Sequence, residues 1–143
     1  MDMALAEAEA AGRAGEVPVG AVIVDANGSP LACAGNRVER DHDPTAHAEI
    51  LAIRAASLAR ASRYLNDCDL YVTLEPCPMC AQAISLARLR RLYYGAEDEK
   101  GGGVDHGPRI FASSSCHSRP DVYGGIGERE AAALLRQFFS ERR

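Results

Sequence analysis

The chain has 143 residues, of which 47% are hydrophobic, and it carries a formal net charge of -4. This length and composition predict a single domain over residues 1–143 with a buried core, and the apolar runs are too short for a membrane span of ~20 residues. The acidic balance argues against a large nucleic-acid interface but allows a local basic patch, and the acidic N-terminal stretch lacks a secretory pattern, so we expect a cytoplasmic protein.

Helical and strand-like patterns alternate along the chain, and helical spacing of apolar residues predicts four helices, at residues 3–14, 46–60, 78–87 and 128–142. Apolar and β-branched runs predict four strands, at residues 19–25, 31–35, 69–75 and 91–95. The turn signal at residues 25–28 joins the first two strands into an antiparallel hairpin. Residues 100–126 are rich in Gly, Pro and Ser and predict only a short strand near residues 110–111. Together these elements imply an α/β class with a layered, mixed central sheet of about five strands.

Two short motifs carry the chemistry, His47-Ala48-Glu49 and Pro76-Cys77-Pro78-Met79-Cys80. Each lies at the start of a predicted helix, where free amide N–H groups and the positive end of the helix dipole favour thiolates. The Cys-x-x-Cys spacing places both sulfurs on one side of a first turn, within reach of one ion. His47, Cys77 and Cys80 thus supply one nitrogen and two sulfur ligands, a zinc ligand set that leaves the fourth tetrahedral position open.

Glu49 follows His47 by two residues, so its side chain points to a different face of the helix turn from that of the ligand. We predict that Glu49 is the catalytic residue and that its carboxyl group sits over the open position. The substrate would be a ring whose carbon bears an amine, and Glu49 would move protons from zinc-bound water to the ring nitrogen and then to the leaving amine. Zinc can lower the pKa of bound water from 15.7 to roughly 7, which makes a nucleophile available at neutral pH. The combined order H-x-E then P-C-x-x-C is the established signature of zinc-dependent base deaminases, so this assignment is a match to a known pattern.

Other interpretations of these residues remain open. Cys77 and Cys80 could be half of a structural zinc site, which needs a fourth protein ligand; the candidates are Cys33, Cys68, Cys116, His42, His106 and His117. A redox pair would leave His47 and Glu49 unexplained, and Glu49 could be a solvated helix residue. The odd count of five cysteines argues against a disulfide framework, and buried apolar thiols are the better interpretation of Cys33 and Cys68.

Several segments outside the zinc signature add to it: GEVPVGAV at 15–22, Gly35-Asn36-Arg37, HDPTAHAEI at 42–50, LYVTLEPCPMC at 70–80, and Phe138-Phe139 in the last helix. With these segments the chain resembles the bacterial tRNA-specific adenosine deaminases, which convert the wobble adenosine of an anticodon to inosine. The resemblance implies a three-layer α/β/α cytidine-deaminase-like fold, one zinc ion per chain, and a homodimer with active sites near the interface. It also implies that Asn36 hydrogen-bonds the flipped nucleoside and that Asp98 meets the anticodon loop.

The substrate stays open between three hypotheses. Deamination of adenosine in a tRNA anticodon loop is favoured by the resemblance and by arginines at 37, 40, 88, 90 and 91. Deamination of a free base or nucleoside of guanine or cytosine type is favoured by the acidic balance and by residues 97–109, which depart from the family's pattern. A non-catalytic, zinc-stapled binding module requires a fourth protein ligand and gives Glu49 no role.

Overall fold

A computed structural model describes residues 1–142, and Arg143 lies outside the described residues. Within residues 1–142 the helices are α1 (Asp2–Arg13), α2 (Ala48–Arg60), α3 (Pro78–Ala87) and α4 (Glu128–Ser140). The strands are β1 (Gly20–Val24), β2 (Pro30–Gly35), β3 (Asp69–Leu74), β4 (Arg91–Ala96) and β5 (Asp121–Tyr123). All four predicted helices and all four predicted strands are confirmed, with ends that differ by one or two residues.

The short strand predicted near residues 110–111 is wrong. Ile110–Ala112 forms a 3-10 helix, and the fifth strand is β5, ten residues further along. Phe111 is buried and Ile110 packs against the core, so this apolar pair fills space beneath a turn and does not extend in a sheet. The predicted total of about five strands nevertheless holds.

The strands form one mixed sheet in the order β2-β1-β3-β4-β5. Strand β1 runs antiparallel to both β2 and β3, whereas β3, β4 and β5 are parallel. The β1–β2 turn is held by the Asp25 carboxylate, which accepts the backbone N–H groups of Asn27 and Ser29, both at 2.9 Å. Gly28 sits in this turn with a φ of 80°, a conformation that glycine adopts without steric cost. The turn predicted at residues 25–28 and the antiparallel hairpin that it joins are therefore confirmed.

Helices cover the sheet in two layers. Helices α1 and α4 contact each other over one face, and α2 and α3 contact each other over the other. Helix α1 lies so close to β1 that a Cβ at Gly20 would overlap the carbonyl oxygen of Ala4. On the opposite face α2 packs over β1 and β2, and its small side chains Ala48, Ala52 and Ala56 are buried in the core cluster. Each fully buried Val or Ile of that cluster contributes roughly 1.5–3 kcal/mol, so this layer holds α2 against the sheet.

The helices over residues 1–142 are short, and the longest have 13 residues. None of them combines the length and the apolar character that crossing a bilayer would require.

Candidate active site

The two sequence motifs meet at the end of β3, where two helices start side by side. His47 is the residue before α2, Cys77 is the residue before α3, and Cys80 lies in the first turn of α3. His47 Nδ1 lies 3.6 Å from Cys77 Sγ and 3.5 Å from Cys80 Sγ. The packing of α2 and α3 on one face of the sheet therefore brings together ligands that are 30 residues apart in the chain.

These distances fit a zinc ion. Tetrahedral zinc with Zn–N of about 2.05 Å and Zn–S of about 2.3 Å separates a nitrogen ligand from a sulfur ligand by about 3.6 Å. Within residues 1–142, the group that surrounds this point contains His47, Cys77 and Cys80, with all donor atoms within 4.8 Å of one another and no fourth His, Cys, Asp or Glu donor. The donor set thus has the open position of a catalytic zinc site.

The environment of the two sulfurs favours one thiolate even without a cation. The hydrogen bond from the Cys80 thiol, with help from His47, lowers the pKa of Cys77 to about 4. The same hydrogen bond and burial raise the pKa of Cys80, and the hydrogen bond to Cys77 raises the pKa of His47. A dication at this point would favour both sulfurs as thiolates, which is the form that binds metal.

Glu49 is buried beside this group, with 4% of its surface exposed, and it lines the same cavity as His47 and Cys77. Burial raises the pKa of its carboxyl group. A carboxyl group with a raised pKa exchanges protons more readily near neutral pH than an exposed one does. The interpretation of Glu49 as a solvated helix residue is therefore wrong.

Asn36, which follows β2, is also buried at this cavity. Its Oδ1 accepts the backbone N–H of Ala48 at 2.8 Å, which satisfies a free donor in the first turn of α2. This bond fixes which way the amide faces, because Oδ1 is held by the helix. The NH₂ group is left as the donor that Asn36 can offer to a bound molecule.

Asp98 lies at the edge of the cavity, in a loop of residues 97–106 that we call the rim loop. Its Oδ1 accepts the backbone N–H groups of Gly101 at 2.8 Å and Lys100 at 3.2 Å. Part of the Asp98 carboxylate is therefore used to shape the loop that carries it.

The cavity that joins these residues has a volume of about 560 Å³. This lies within the ~300–1,000 Å³ that is usual for small-ligand sites. Its lining is rich in carboxylates, from Glu16, Glu39, Glu49, Glu75 and Asp98. Such a lining suits a polar, uncharged ring better than it suits a phosphate group.

Two buried carboxylates at this cavity, Glu16 and Glu75, lie within the segments at 15–22 and 70–80 that carry the resemblance, but no spacing rule gave either of them a role. Glu16, 1% exposed, accepts the backbone N–H groups of Glu39 and Arg40 and the Arg40 guanidinium. Burial alone would raise the pKa of Glu16, but these donors outweigh it and lower the pKa. Glu75 is held in the same manner by the rim loop: burial opposes ionisation, whereas His106 and backbone N–H groups lower the pKa of Glu75. Both residues bond to segments more than 20 positions away, which no local pattern encodes.

The end of α4 forms another wall of the cavity that the sequence did not indicate. Phe138 and Arg142 line it, and the Arg142 guanidinium lies 3.5 Å from the centroid of the Phe138 ring. Phe138 is 8% exposed, so it belongs to the core and also contributes to the wall of the cavity.

The arginines that favoured an RNA partner make contacts within the chain: Arg37 with Asp41, Arg40 with Glu16, Arg90 and Arg91 with Asp69, and Arg88 over the ring of Tyr64. Arg91 is paired in register with Asp69, at the start of parallel strands β3 and β4. The cavity opens at the other end of these strands. Arg90 and Arg91 therefore stand away from the cavity of their own chain.

The candidate fourth ligands for a structural zinc site lie elsewhere. All five cysteines are free within the described residues. Cys68 is buried, and burial raises its pKa to about 11, as expected of an apolar thiol. Cys33 is exposed, so its interpretation as a buried thiol is wrong. His106 bonds to Glu75.

Comparison with known proteins gives consistent results. The profile of the cytidine and deoxycytidylate deaminase zinc-binding region matches residues 1–96. The chain is 56% identical to a tRNA-specific adenosine deaminase of Agrobacterium fabrum, over 100% of this chain and 93% of that protein. A solved structure from work on A-to-I editing by tRNA:A34 deaminases at the wobble position superposes with a TM-score of 0.92, at 55% identity, over 94% of this chain and 97% of that one. A guanine deaminase from Bacillus subtilis is 44% identical with a TM-score of 0.65, but over only 67% of this chain and 61% of that one.

Proposed function

Because the chain belongs to the family of tRNA-specific adenosine deaminases, within the cytidine and deoxycytidylate deaminases, we propose that it hydrolyses wobble adenosine in a tRNA anticodon to inosine. The chain is a zinc-dependent deaminase, and its products are inosine in the RNA and ammonia. The observation that carries the proposal is the group of His47, Cys77 and Cys80 at zinc-ligand distances, with buried Glu49 in the same cavity.

His47, Cys77 and Cys80 are the residues that would hold the zinc ion, and zinc when bound makes a water molecule nucleophilic near neutral pH. Glu49 accepts a proton from the attacking water and delivers it to the purine ring nitrogen. It then takes the remaining proton of that water, now a hydroxyl group on the purine carbon, and passes it to the exocyclic amine. The C–N bond breaks, the amine leaves as ammonia, and the oxygen stays as the carbonyl of inosine. Burial of Glu49 supports this role, because the raised pKa makes the carboxylate a stronger base toward the attacking water and brings its proton exchange closer to neutral pH.

We assign substrate-binding roles to Asn36 and Asp98. The Asn36 amide, oriented by its bond to Ala48, would donate to the flipped nucleoside. Asp98, at the edge of the cavity, would meet nucleotides of the anticodon loop. A base must leave its stack to enter such a cavity, so the residues at the edge select among RNA loops.

Deamination of a free base is not favoured by the comparisons, since the relatives that are 56% and 46% identical over the full chain are tRNA-specific adenosine deaminases. The non-catalytic binding module is also disfavoured, because residues 1–142 provide no fourth ligand for the zinc group. A tRNA substrate supports the cytoplasm as the place of action.

We further propose a homodimer that forms through a groove between α2 and α3. This groove has a volume of about 840 Å³, and we call it the α2–α3 groove. Leu58 and Leu86 line it and are 83% and 67% exposed. Exposed leucines that line one groove are typical of protein interfaces. Because α2 and α3 also carry the zinc ligands, a second copy seated here would bring the two active sites near the interface.

A single assay tests the proposed function. Zinc-loaded protein is incubated with an anticodon stem-loop that carries a wobble adenosine and, in parallel, with free adenosine, guanine and cytosine. We expect inosine in the RNA and little ammonia from the free compounds. Ammonia from free guanine or cytosine, with no inosine in the RNA, would refute the proposal.

A further inference from the structure

The side chain of Glu75 is 0% exposed at the end of β3, and the zinc signature gives it no role. Its carboxylate binds both arms of the rim loop. Oε1 accepts the backbone N–H of Asp98 at 3.2 Å and pairs with His106 Nδ1 at 2.7 Å. Oε2 accepts the backbone N–H groups of Val104, Asp105 and His106 at 3.2, 3.0 and 3.1 Å. One carboxylate thus links the two arms of the rim loop, the first at Asp98 and the second at residues 104–106.

The rim loop has a sequence that lets it reach this carboxylate. A Cβ at Gly102 would overlap Glu75 Oε2 and the carbonyl oxygen of Asp98. A Cβ at Gly103 would lie 2.6 Å from the nitrogen of Pro78, and the Gly103 N–H donates to Pro76 at 2.8 Å. The two glycines, both buried, therefore allow the loop to lie against Glu75 and against the turn that precedes α3.

Asp98 is the link between this anchor and the cavity. Its backbone N–H is held by Glu75, its carbonyl accepts the N–H of Gly102 at 2.9 Å, and its side chain shapes the same turn. Asp98 and Glu75 both line the cavity. A shift of the rim loop would therefore move the edge of the cavity without moving His47 or Glu49.

We propose that Glu75 is a positioning residue that anchors the rim loop, and thereby Asp98, at the edge where the RNA substrate enters. The inference rests on the proposed function, because the substrate that meets this edge is the anticodon loop. The side chain of Glu75 is 0% exposed, and all the hydrogen bonds that its carboxylate makes go to the rim loop. Its loss should therefore weaken binding of the RNA far more than it slows the chemical step.

The variant Glu75→Gln tests this directly, because it keeps the size of the side chain and replaces one acceptor oxygen by an NH₂ donor. In the less costly orientation the NH₂ replaces Oε1 and faces His106 Nδ1, which can accept a hydrogen bond as the other tautomer. The Asp98 N–H then faces a donor and loses its partner. The backbone bonds from Val104, Asp105 and His106 to the remaining oxygen are kept. Gln therefore releases the arm of the loop that carries Asp98.

We expect Glu75→Gln to raise KM for the stem-loop by about tenfold, the effect of losing one hydrogen bond to a charged group. We expect kcat to change by less than about threefold, because the reacting groups stay in place. Zinc content should stay at one per chain. An unchanged KM, or a loss confined to kcat, would overturn the proposal.

Asp69→Asn is the matched control. Asp69 is a buried carboxylate at the other end of β3, where both its oxygens accept the Arg90 guanidinium at 2.9 Å. Its neutralisation should lower thermal stability but leave KM unchanged. An equal rise of KM in Asp69→Asn would show that any loss of a buried carboxylate has the effect, and would refute a specific role of Glu75.

Two further measurements keep the result clear. Gly102→Ala pushes the loop away from Glu75 without altering the carboxylate, and it should reproduce the rise of KM. Amide hydrogen exchange of residues 97–107 in zinc-loaded protein should speed up in Glu75→Gln and Gly102→Ala but not in Asp69→Asn. This readout needs no substrate, so it tests the anchor even if the wild-type protein fails to act on RNA. Unchanged exchange in both variants would overturn the anchor itself.

Discussion

At the scale of single residues, Glu49 is a buried carboxylate to which we assign both proton transfers of the reaction. Glu49→Gln keeps the shape of the side chain but cannot take a proton. General acid–base catalysis by one group contributes about 10²–10⁴-fold, so kcat should fall by about a thousandfold. Because Gln keeps the size of the buried side chain, the variant should bind zinc and melt close to the wild type.

The measurement compares inosine formation and thermal melting of both proteins at equal zinc content. Cys33→Ser, a change at an exposed cysteine outside the site, should match the wild type in both. A Glu49→Gln protein that turns over at the wild-type rate would show that another group moves the protons.

The sequence was sufficient to predict residues whose roles depend on local spacing. His47, Cys77 and Cys80 converge because each sits at or within the first turn of a helix, and both helix starts could be predicted. Glu16 and Glu75 were not predictable, because their partners are backbone N–H groups of distant loops. Such contacts depend on the path of the chain and not on residue type. For the same reason, the roles of Asn36 and Asp98 could be inferred from the sequence only through the family resemblance.

At the scale of elements, periodic patterns predicted all four α-helices and the four longer strands. Strand β5 was missed because it has three residues, and its outer two are exposed. It forms because β4 offers an edge to which Asp121–Tyr123 can pair, and the stacked rings of Tyr93 and Tyr123 add contact. Conversely, the apolar pair Ile110-Phe111 looks like a strand but ends in a 3-10 helix that packs on α3. Short elements follow their neighbours more than their own propensities.

The α2–α3 groove leads to a prediction about assembly. Leu58→Glu combined with Leu86→Glu places charge on two side chains that are mostly exposed in one chain. Surface changes of this kind alter folding stability by only about 0.5 kcal/mol, but buried charge opposes an apolar interface. We expect the wild type to be a dimer by sedimentation and the double variant a monomer with similar secondary structure. Met3→Glu, at an exposed apolar residue of α1 in the other layer, should remain a dimer. A monomeric wild type, or a double variant that stays a dimer, would contradict the proposal.

The contact between the rim loop and β3 predicts a pH dependence of stability. The hydrogen bond to Glu75 raises the pKa of His106 above its ordinary 6.5. A group whose pKa is raised on folding stabilises the protein fully below its unfolded pKa, and this contribution disappears as pH rises through the folded pKa. His106→Asn keeps a neutral donor but cannot carry the charge.

The difference in melting temperature between wild type and His106→Asn should therefore be larger at about pH 5.5 than at about pH 8.5. Thermal melting of both zinc-loaded proteins, in buffer without free zinc, at the two pH values measures it. Free zinc is left out because Glu97, Glu99 and His106 bring three possible ligand atoms within 4.8 Å of one another, and the variant removes one of them. A difference that grows toward high pH would have the wrong sign for a protonated His106.

At the scale of the whole molecule, charge is distributed in a way that composition could not reveal. The net charge of -4 suggested weak contact with nucleic acid. The carboxylates that cause it are partly gathered around the cavity, where they hold loops and offer acceptors to a base. Several arginines in turn are held by carboxylates of the same chain. Recognition at the cavity would therefore depend on the flipped base and on the shape of the loop, and less on phosphate contacts.

Zinc should couple this cavity to the stability of the whole fold. The ion would join the starts of α2 and α3, which pack over the core on the same face of the sheet. With free zinc at about 1,000 times its Kd, binding to the folded state alone adds ~4 kcal/mol. At about 3–4 °C per kcal/mol for a chain of this size, chelation should lower the melting temperature by about 10–15 °C.

Thermal melting with and without a chelator measures this shift, and Cys77→Ser provides the control. A chain without one sulfur ligand should melt near the chelated wild type, and the chelator should have no further effect on it. If the chelator lowers the melting temperature of Cys77→Ser as much as that of the wild type, zinc stabilises the fold through other residues. If it changes neither, the two helix starts are held by packing alone, because the alanine face of α2 over β1 and β2 would then supply all the stability that we attribute to the ion.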